Sequence, residues 1–401
     1  MRLSTRLPVV EVPRYSVKND LLPFGDCALR YRYEHQGRLV PSRPLQYWPG
    51  LFFHGLMEEA FRHWAASATN GARAVGPDAE AVAGHARGVA KQLTARGLSF
   101  PDIAVLGIGL ERAVVAAEVW GPILFPAARE VEVRLNATRQ VPVGSAPARS
   151  PDYLIEGIAD LIIAADPAAL RRLPVEVPSG LSPDSEAVVD YKSERLPPPG
   201  DRHGDAWHRQ DWQVLTYAWL RREQPGSRPV GLGLLLYPNE LVPGRREMRL
   251  LAREHRQGQI PPGLRPSAAD ADVLRWWHGI ERGWARRIEA WTGEVRAWWD
   301  AEPGARPFPR LPMPEPGLSL PYRRARAARV VVATPERVAA SLADFDDAVA
   351  KIEQCVASEA AGVAVPDVWP PCPDDSVCAQ CDFRSHCPAP GNQHRRAPVA
   401  P

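Results

Sequence analysis

At 401 residues, the chain is long enough for one large domain or two ordinary ones. Its 45% hydrophobic and 24% charged content matches soluble globular proteins, and a net charge of +2 excludes polyanion binding through a global field, so any nucleic-acid surface must be a local patch. The most apolar stretch, 103–120, is interrupted by Glu111, Arg112 and Glu118, and the first residues have neither the apolar run nor the cleavage site of a signal peptide. A cytoplasmic chain without membrane contact is expected. Thiols stay reduced there, so clustered cysteines point to metal rather than disulfides. Lysine occurs only at positions 18, 91, 192 and 351, so each of these positions asks for a reason.

Residues 1–20 read as a leader with a short strand. A helix is expected from near Lys18, carrying Cys27 and the run Arg30-Tyr31-Arg32-Tyr33. After a proline-rich turn at 41–49, Leu51 to Ala66 has helical periodicity, with Phe52, Leu56, Ala60 and Trp64 on related faces. Further helices are expected at 78–97 and 107–120. Then the period changes: Glu130 to Leu135 alternates as a strand does, and Tyr153 to Ala164 reads as a longer strand. Residues 166–186 are an excursion, Ala187 to Lys192 a short apolar strand ending in charge, 205–222 a helix, and Val230 to Tyr237 a strand. A long helix is expected over 270–300, a strand at Arg329 to Ala333, and a helix over 335–361. Helices, a run of strands with one helical crossover, then helices again give an α/β core with helical additions.

Four of the six cysteines stand near the C-terminus, and Cys378, Cys381 and Cys387 form C-x2-C-x5-C. A C-x2-C turn presents two thiolates to one metal, and a tetrahedral metal or a [4Fe–4S] cube wants four ligands. Cys27 is the natural fourth. Zinc is the rival metal, Cys372 a rival ligand in a purely local site, and ordinary burial of small residues the plain alternative. Cys355 reads as an apolar helix contact. His386, inside the x5 spacer, reads as exposed.

Three motifs carry candidate chemistry: His54 with Glu58 one turn later, Gly157-Ile-Ala-Asp160 on an apolar strand, and Asp190-Tyr191-Lys192 ending another. Phosphodiester hydrolysis needs a hard cation with oxygen ligands, and two aspartates on adjacent strands converge well. Strand alternation puts Asp190 and Lys192 on one face, and a lysine there can serve a nucleophile as an arginine cannot. A carboxylate among Ile158, Leu161, Ile162 and Ile163, such as Asp160, is costly unless paired or metal-bound. Taken singly, each motif also reads as a solvated strand end or a satisfied polar residue; the ordered set does not. Gln213 and Tyr217, at i and i+4, share a helix face.

This order of motifs, closed by the cysteine tail and the upstream Cys27, resembles the RecB-like branch of the PD-(D/E)XK nucleases, and within it the iron–sulfur members such as the AddB nuclease domain and CRISPR-associated exonucleases. The resemblance spans Cys27 to Cys387. It implies a restriction-endonuclease-like α/β fold, a central mixed sheet flanked by helices, with helical insertions and a C-terminal iron–sulfur cysteine tail. It implies Mg²⁺ or Mn²⁺ catalysis on DNA, single-stranded or at ends, in repair, CRISPR adaptation or anti-phage defence. Asp160 and Asp190 would be metal ligands with the Tyr191 carbonyl, His54 an additional metal-site residue, and Lys192 the catalytic lysine. Gln213 and Tyr217 would support the site and the DNA strand, and Cys27, Cys378, Cys381 and Cys387 would hold a [4Fe–4S] cluster stapling the two ends. Ala159 replaces the proline of the superfamily's name.

The implied organisation is a helical region at 1–125, a nuclease core at 126–241, a tryptophan-rich helical insertion at 242–327, and the last core strand, helix and cysteine tail at 328–401. In the insertion Trp277, Trp284, Trp291 and Trp298 recur every seven residues, as one packed stripe or as a platform for stacked bases. Arg323, Arg324 and Arg326 read as a solvated loop or a phosphate contact. Without a G-x-x-x-x-G-K-[ST] motif the chain carries no P-loop motor, so duplex resection would need a helicase in trans; a CRISPR integrase is the other partner implied. The competing reading is a non-catalytic DNA-binding or assembly subunit on the same fold.

Overall fold

The computed structural model describes residues 12–39, 47–69, 78–141, 149–198, 206–261, 263–372, 374–379 and 381–389. Strand β1 (Arg14–Tyr15) leads into a π-helical turn (Val17–Leu21), α1 (Leu22–Asp26), α2 (Ala28–Tyr31) and a second π-helical turn (Arg32–Gln36). Helices α3 (Trp48–Thr69), α4 (Ala79–Gly84), α5 (Ala86–Ala95) and α6 (Ile103–Leu124) follow. Strands β2 (Ala128–Gln140) and β3 (Asp152–Ala164) precede α7 (Pro167–Leu170), β4 (Glu186–Tyr191), α8 (Ala206–Arg222) and β5 (Val230–Leu236). Five helices stand between β5 and the last strand: α9 (Pro238–Leu241), α10 (Arg245–Arg256), α11 (Ala268–Arg275), α12 (Trp277–Asp300) and α13 (Leu320–Arg326). Strand β6 (Ala328–Val332), α14 (Pro335–Ala360), α15 (Val365–Val368) and α16 (Asp375–Ala379) complete the order.

The sheet is mixed. β3 pairs antiparallel with β2 along one edge; its other edge takes β1, parallel at Leu154 and Ile155, and then β4, antiparallel from Leu161. β4 and β5 are parallel, with α8 as their crossover, and β6 closes antiparallel on β5. Every residue of β4 is buried, so its run Ala187-Val188-Val189 has no polar alternation. One core gathers α3 to α6 against the face bearing Leu161, Ile163 and Val189; a second packs α8 and α14 against Ile155, Ile162 and Val188. At Gly233 an added Cβ would fall 1.8 Å from Val214 Cγ1, so the glycine lets α8 lie directly on β5.

Four expectations change, and the choice left open for the tryptophans falls to packing. Cys27 does not ride inside a helix: it is extended (φ −164°, ψ 105°), and α2 starts after it. The 78–97 helix breaks at His85, and the 270–300 helix breaks at Trp276. The four heptad tryptophans are buried, with the indole N–H of Trp284 and Trp291 donating to Pro312 O (2.5 Å) and Pro309 O (2.8 Å), so they are core and not a base-stacking platform. The Arg323–Arg326 run is helical, and Arg326, 1% exposed, pairs with Glu240 at 2.7 Å instead of meeting phosphate. No described helix is long and apolar enough to cross a membrane.

Candidate active site

Antiparallel pairing of Leu161 with Val189 brings Asp160 level with Asp190 at the open end of the two strands. The two aspartates are linked through the backbone: Tyr191 N donates to Asp160 Oδ2 at 2.6 Å. His54, on the first half of α3, places Nδ1 3.1 Å from Asp160 Oδ1. Lys192, one residue past β4, lies with Nζ 2.7 Å from Asp190 Oδ2 and donates to Gln213 Oε1 at 2.7 Å. Gln213 Nε2 in turn donates to Asp190 Oδ1 (3.1 Å) and Tyr217 Oη (3.2 Å). Thus all of His54, Asp160, Asp190, Tyr191, Lys192, Gln213 and Tyr217 meet in one network. Glu58 stands apart, engaged with Arg62 one turn on.

Gly157 is explained by Tyr217. A Cβ there would stand 2.4 Å from Tyr217 Cε1, so the bare backbone of β3 is what lets the ring lie across it. Gly50, at the start of α3, does the same for the loop after Lys192: a Cβ would lie 2.9 Å from Ser193 Oγ.

Two residues join that sequence reasoning did not assign. Glu132 on β2 adopts φ +50°, a left-handed conformation rare for a side-chain-bearing residue inside a strand. Its neighbours Val131 and Val133 pair with Leu161 and Ala159, so Glu132 stands opposite Asp160. The ligand atoms of His54, Glu132 and Asp160 all lie within 4.8 Å of one another. The distortion offers no signal in the alternating run EVEVRL, where Glu132 looks like Glu130. The second is Lys18, in the first turn after β1. It is exposed, and among the described residues no ion pair or hydrogen bond engages it. Its ammonium nevertheless acts on His54, Glu132, Asp160 and Asp190. Its scarcity was the available signal.

The electrostatics divide the acids. Burial opposes ionisation of Asp160, but His54, the Tyr191 N–H and Lys18 outweigh it and hold the carboxyl below its usual range. For Asp190 burial wins over Lys192, and the carboxyl lies above its usual range. Burial, then the Asp160 charge, pushes Glu132 up to about 7. Burial pulls His54 down, yet Asp160 more than compensates and the imidazole ends above its ordinary value. Asp190 Oδ2 has the ammonium beside it but no aligned hydrogen bond, so it is a buried acceptor left with unused capacity. Two carboxylates, an imidazole and this underused oxygen make a donor set suited to a divalent metal.

A family model of the PD-(D/E)XK nuclease superfamily matches residues 181–388, just over half of the 401 residues. The chain belongs to the PD-(D/E)XK nuclease superfamily. The match covers Asp190, Lys192, Gln213, Tyr217 and the cysteine tail; His54, Glu132 and Asp160 precede it and are brought beside Asp190 by the fold. No curated protein matches the chain. A mixed sheet flanked by helices is the architecture of this superfamily, whose members are metal-dependent nucleases.

The cysteines also converge. Cys27, Cys372, Cys378, Cys381 and Cys387 line one small cavity with Arg30 and Arg384. Cys372 N donates to Cys27 Sγ at 3.3 Å, so the beginning and the end of the described chain touch here. Burial raises the thiols of Cys372, Cys378 and Cys381, and the neighbouring cysteines add to it. Cys355 stands aside on α14, donating to Val368 O at 3.2 Å, and His386 is exposed.

Proposed function

We propose that this nuclease cleaves DNA, as single strands or at ends, with Mg²⁺ or Mn²⁺ held by Asp160, Asp190 and the Tyr191 carbonyl, with His54 and Glu132 completing the cradle. The observation that carries the reading is the placement of Lys192: its ammonium lies between Asp190 and Gln213, 2.7 Å from an oxygen of each. The cation would neutralise charge on the scissile phosphate and sharpen a water as nucleophile. Lys192 meets the attacking oxygen from the strand side, and Gln213, braced by Tyr217, fixes its direction. Tyr191 N holds Asp160 in the rotamer that faces Asp190. Lys18, exposed and without an ion-pair partner among the described residues, would meet a phosphate of the incoming strand.

We infer that Cys27, Cys378, Cys381 and Cys387 ligate a [4Fe–4S] cluster, with the Cys372 amide donating to the Cys27 sulfur. Closing a loop of roughly 350 residues would restrict the unfolded chain by a few kcal/mol, by analogy with a disulfide.

The test is cleavage of a labelled oligonucleotide with Mg²⁺, Mn²⁺ or EDTA. Cutting is expected with either metal and not with EDTA, and Lys192→Ala should lower the rate by about 100-fold or more, the scale of a lost acid–base or electrostatic group. Undiminished cutting by the variant removes Lys192 from the chemistry. Lys18→Ala should raise KM more than it lowers kcat.

A further inference from the structure

The helix α10, RREMRLLAREHR, carries five arginines from Arg245 to Arg256, and all are exposed. At about 100° per residue they fall within about 100° of arc, a single stripe roughly 16 Å long. The two carboxylates of the helix face elsewhere: Glu247 lies 3.4 Å from Arg112, and Glu254, buried, 2.6 Å from Arg195. On the neighbouring α12, buried Glu281 joins the two helices by pairing with Arg245 at 3.1 Å and Arg249 at 2.6 Å. Next to it Arg282 and Arg286 are exposed. Over 245–256 and 278–286 no exposed side chain is acidic, in a chain whose net charge is only +2. Arg246, Arg253, Arg282 and Arg286 have no ion-pair partner among the described residues.

We propose that the exposed faces of α10 and the first half of α12 form a second nucleic-acid site, which grips the phosphates of the substrate strand away from the cutting centre. The proposal rests on the reading of the chain as a DNA nuclease. Uncommitted guanidinium groups on one stripe suit a phosphate backbone, since each fork can take a phosphate in two hydrogen bonds. The stripe is long enough to follow several phosphates. It is also tied to the centre: Arg195, three residues beyond Lys192, holds Glu254 of α10 and, at 3.1 Å, Glu240 of α9.

The experiment compares the full chain with the variant R246Q/R253Q/R282Q/R286Q. Binding of a fluorescent 40-nucleotide single strand is measured in EDTA between 50 and 200 mM KCl, and Mg²⁺-dependent cutting of a six-nucleotide strand is measured in parallel. The variant should bind the long strand at least tenfold more weakly at 50 mM KCl. The slope of log affinity against log salt should shrink by about 3, at about 0.7 to 0.9 per lost phosphate contact. Cutting of the six-nucleotide strand should be unchanged. Wild-type affinity and slope in the variant overturn the proposal, and if polyglutamate also binds in a manner these arginines control, the face serves an acidic protein. Loss of cutting on the short strand overturns it too, by showing that the arginines act on the centre or the fold. A wild-type chain that binds the long strand through these arginines yet cuts nothing leaves the stripe standing and removes the catalytic reading.

Discussion

Gly157 and Glu132 show how single residues shape the centre. Gly157→Ala forces Tyr217 off β3 and so loosens Gln213 and Lys192; it should cost about 1–3 kcal/mol, the usual range for overpacking, and lower kcat. Gly84→Ala, where a Cβ meets nothing within 4 Å, should be neutral or slightly stabilising, and urea melts of the two variants make the comparison. Glu132 offers a pH test in the metal-free protein. Its folded pKa, about 7, lies above its ordinary value of 4.5, so the folded state holds the proton more tightly than the unfolded chain does. Its contribution is therefore fully present below about pH 4.5 and is lost as the pH rises through 7. In EDTA at pH 8, Glu132→Gln should be more stable than wild type by on the order of 1 kcal/mol, discounted for partial exposure, and equal to it at pH 4. A less stable variant at pH 8 would contradict the crowded-carboxylate account. Asp160, a carboxylate among apolar neighbours inside β3, and Asp190 and Lys192, on one face where β4 ends, were readable only as an ordered set, since each alone is an ordinary polar residue. Glu132 was not, because its role depends on a register with β3 and a φ of +50° that no local pattern encodes.

At the scale of elements, the strands carrying chemistry were legible through their period, and α8 through its i, i+4 pair. The breaks were not. Cys27, His85 and Trp276 interrupt helices without a proline or glycine at the break itself, so propensity alone runs the helices together. The break at Cys27 has a use: extended backbone there turns the sulfur toward the C-terminal cysteines while α2 continues behind it. Cys27→Ala should therefore lose iron and the brown absorbance near 400 nm, and melt earlier. Cys372→Ala, which keeps the amide that faces Cys27, should retain both. Iron retained by Cys27→Ala and lost by Cys372→Ala would exchange the two roles, and a colourless protein purified without oxygen would speak for zinc.

For the whole molecule, two pairs of distant segments converge. Cys27 meets the 372–387 tail, and His54 from α3 meets Asp160 and Asp190 from the sheet. The order of motifs announced both meetings, because residues of one chemistry were spaced across the chain with no local purpose. The helices between β5 and β6 were partly legible: the tryptophan heptads marked a packed helix, whereas the arginine stripe of α10 was lost among the many arginines and emerged only once its acids were seen to turn inward. Asp160, Asp190 and Lys192 are proposed to form one metal-dependent phosphodiesterase centre. Its most direct test is the single-turnover rate of Mg²⁺-dependent DNA cleavage by wild type and by Asp190→Asn, with equal folding verified by circular dichroism. Asp190→Asn should lower the rate by about 100-fold or more with DNA binding retained; equal rates in the two proteins would remove Asp190 from the chemistry.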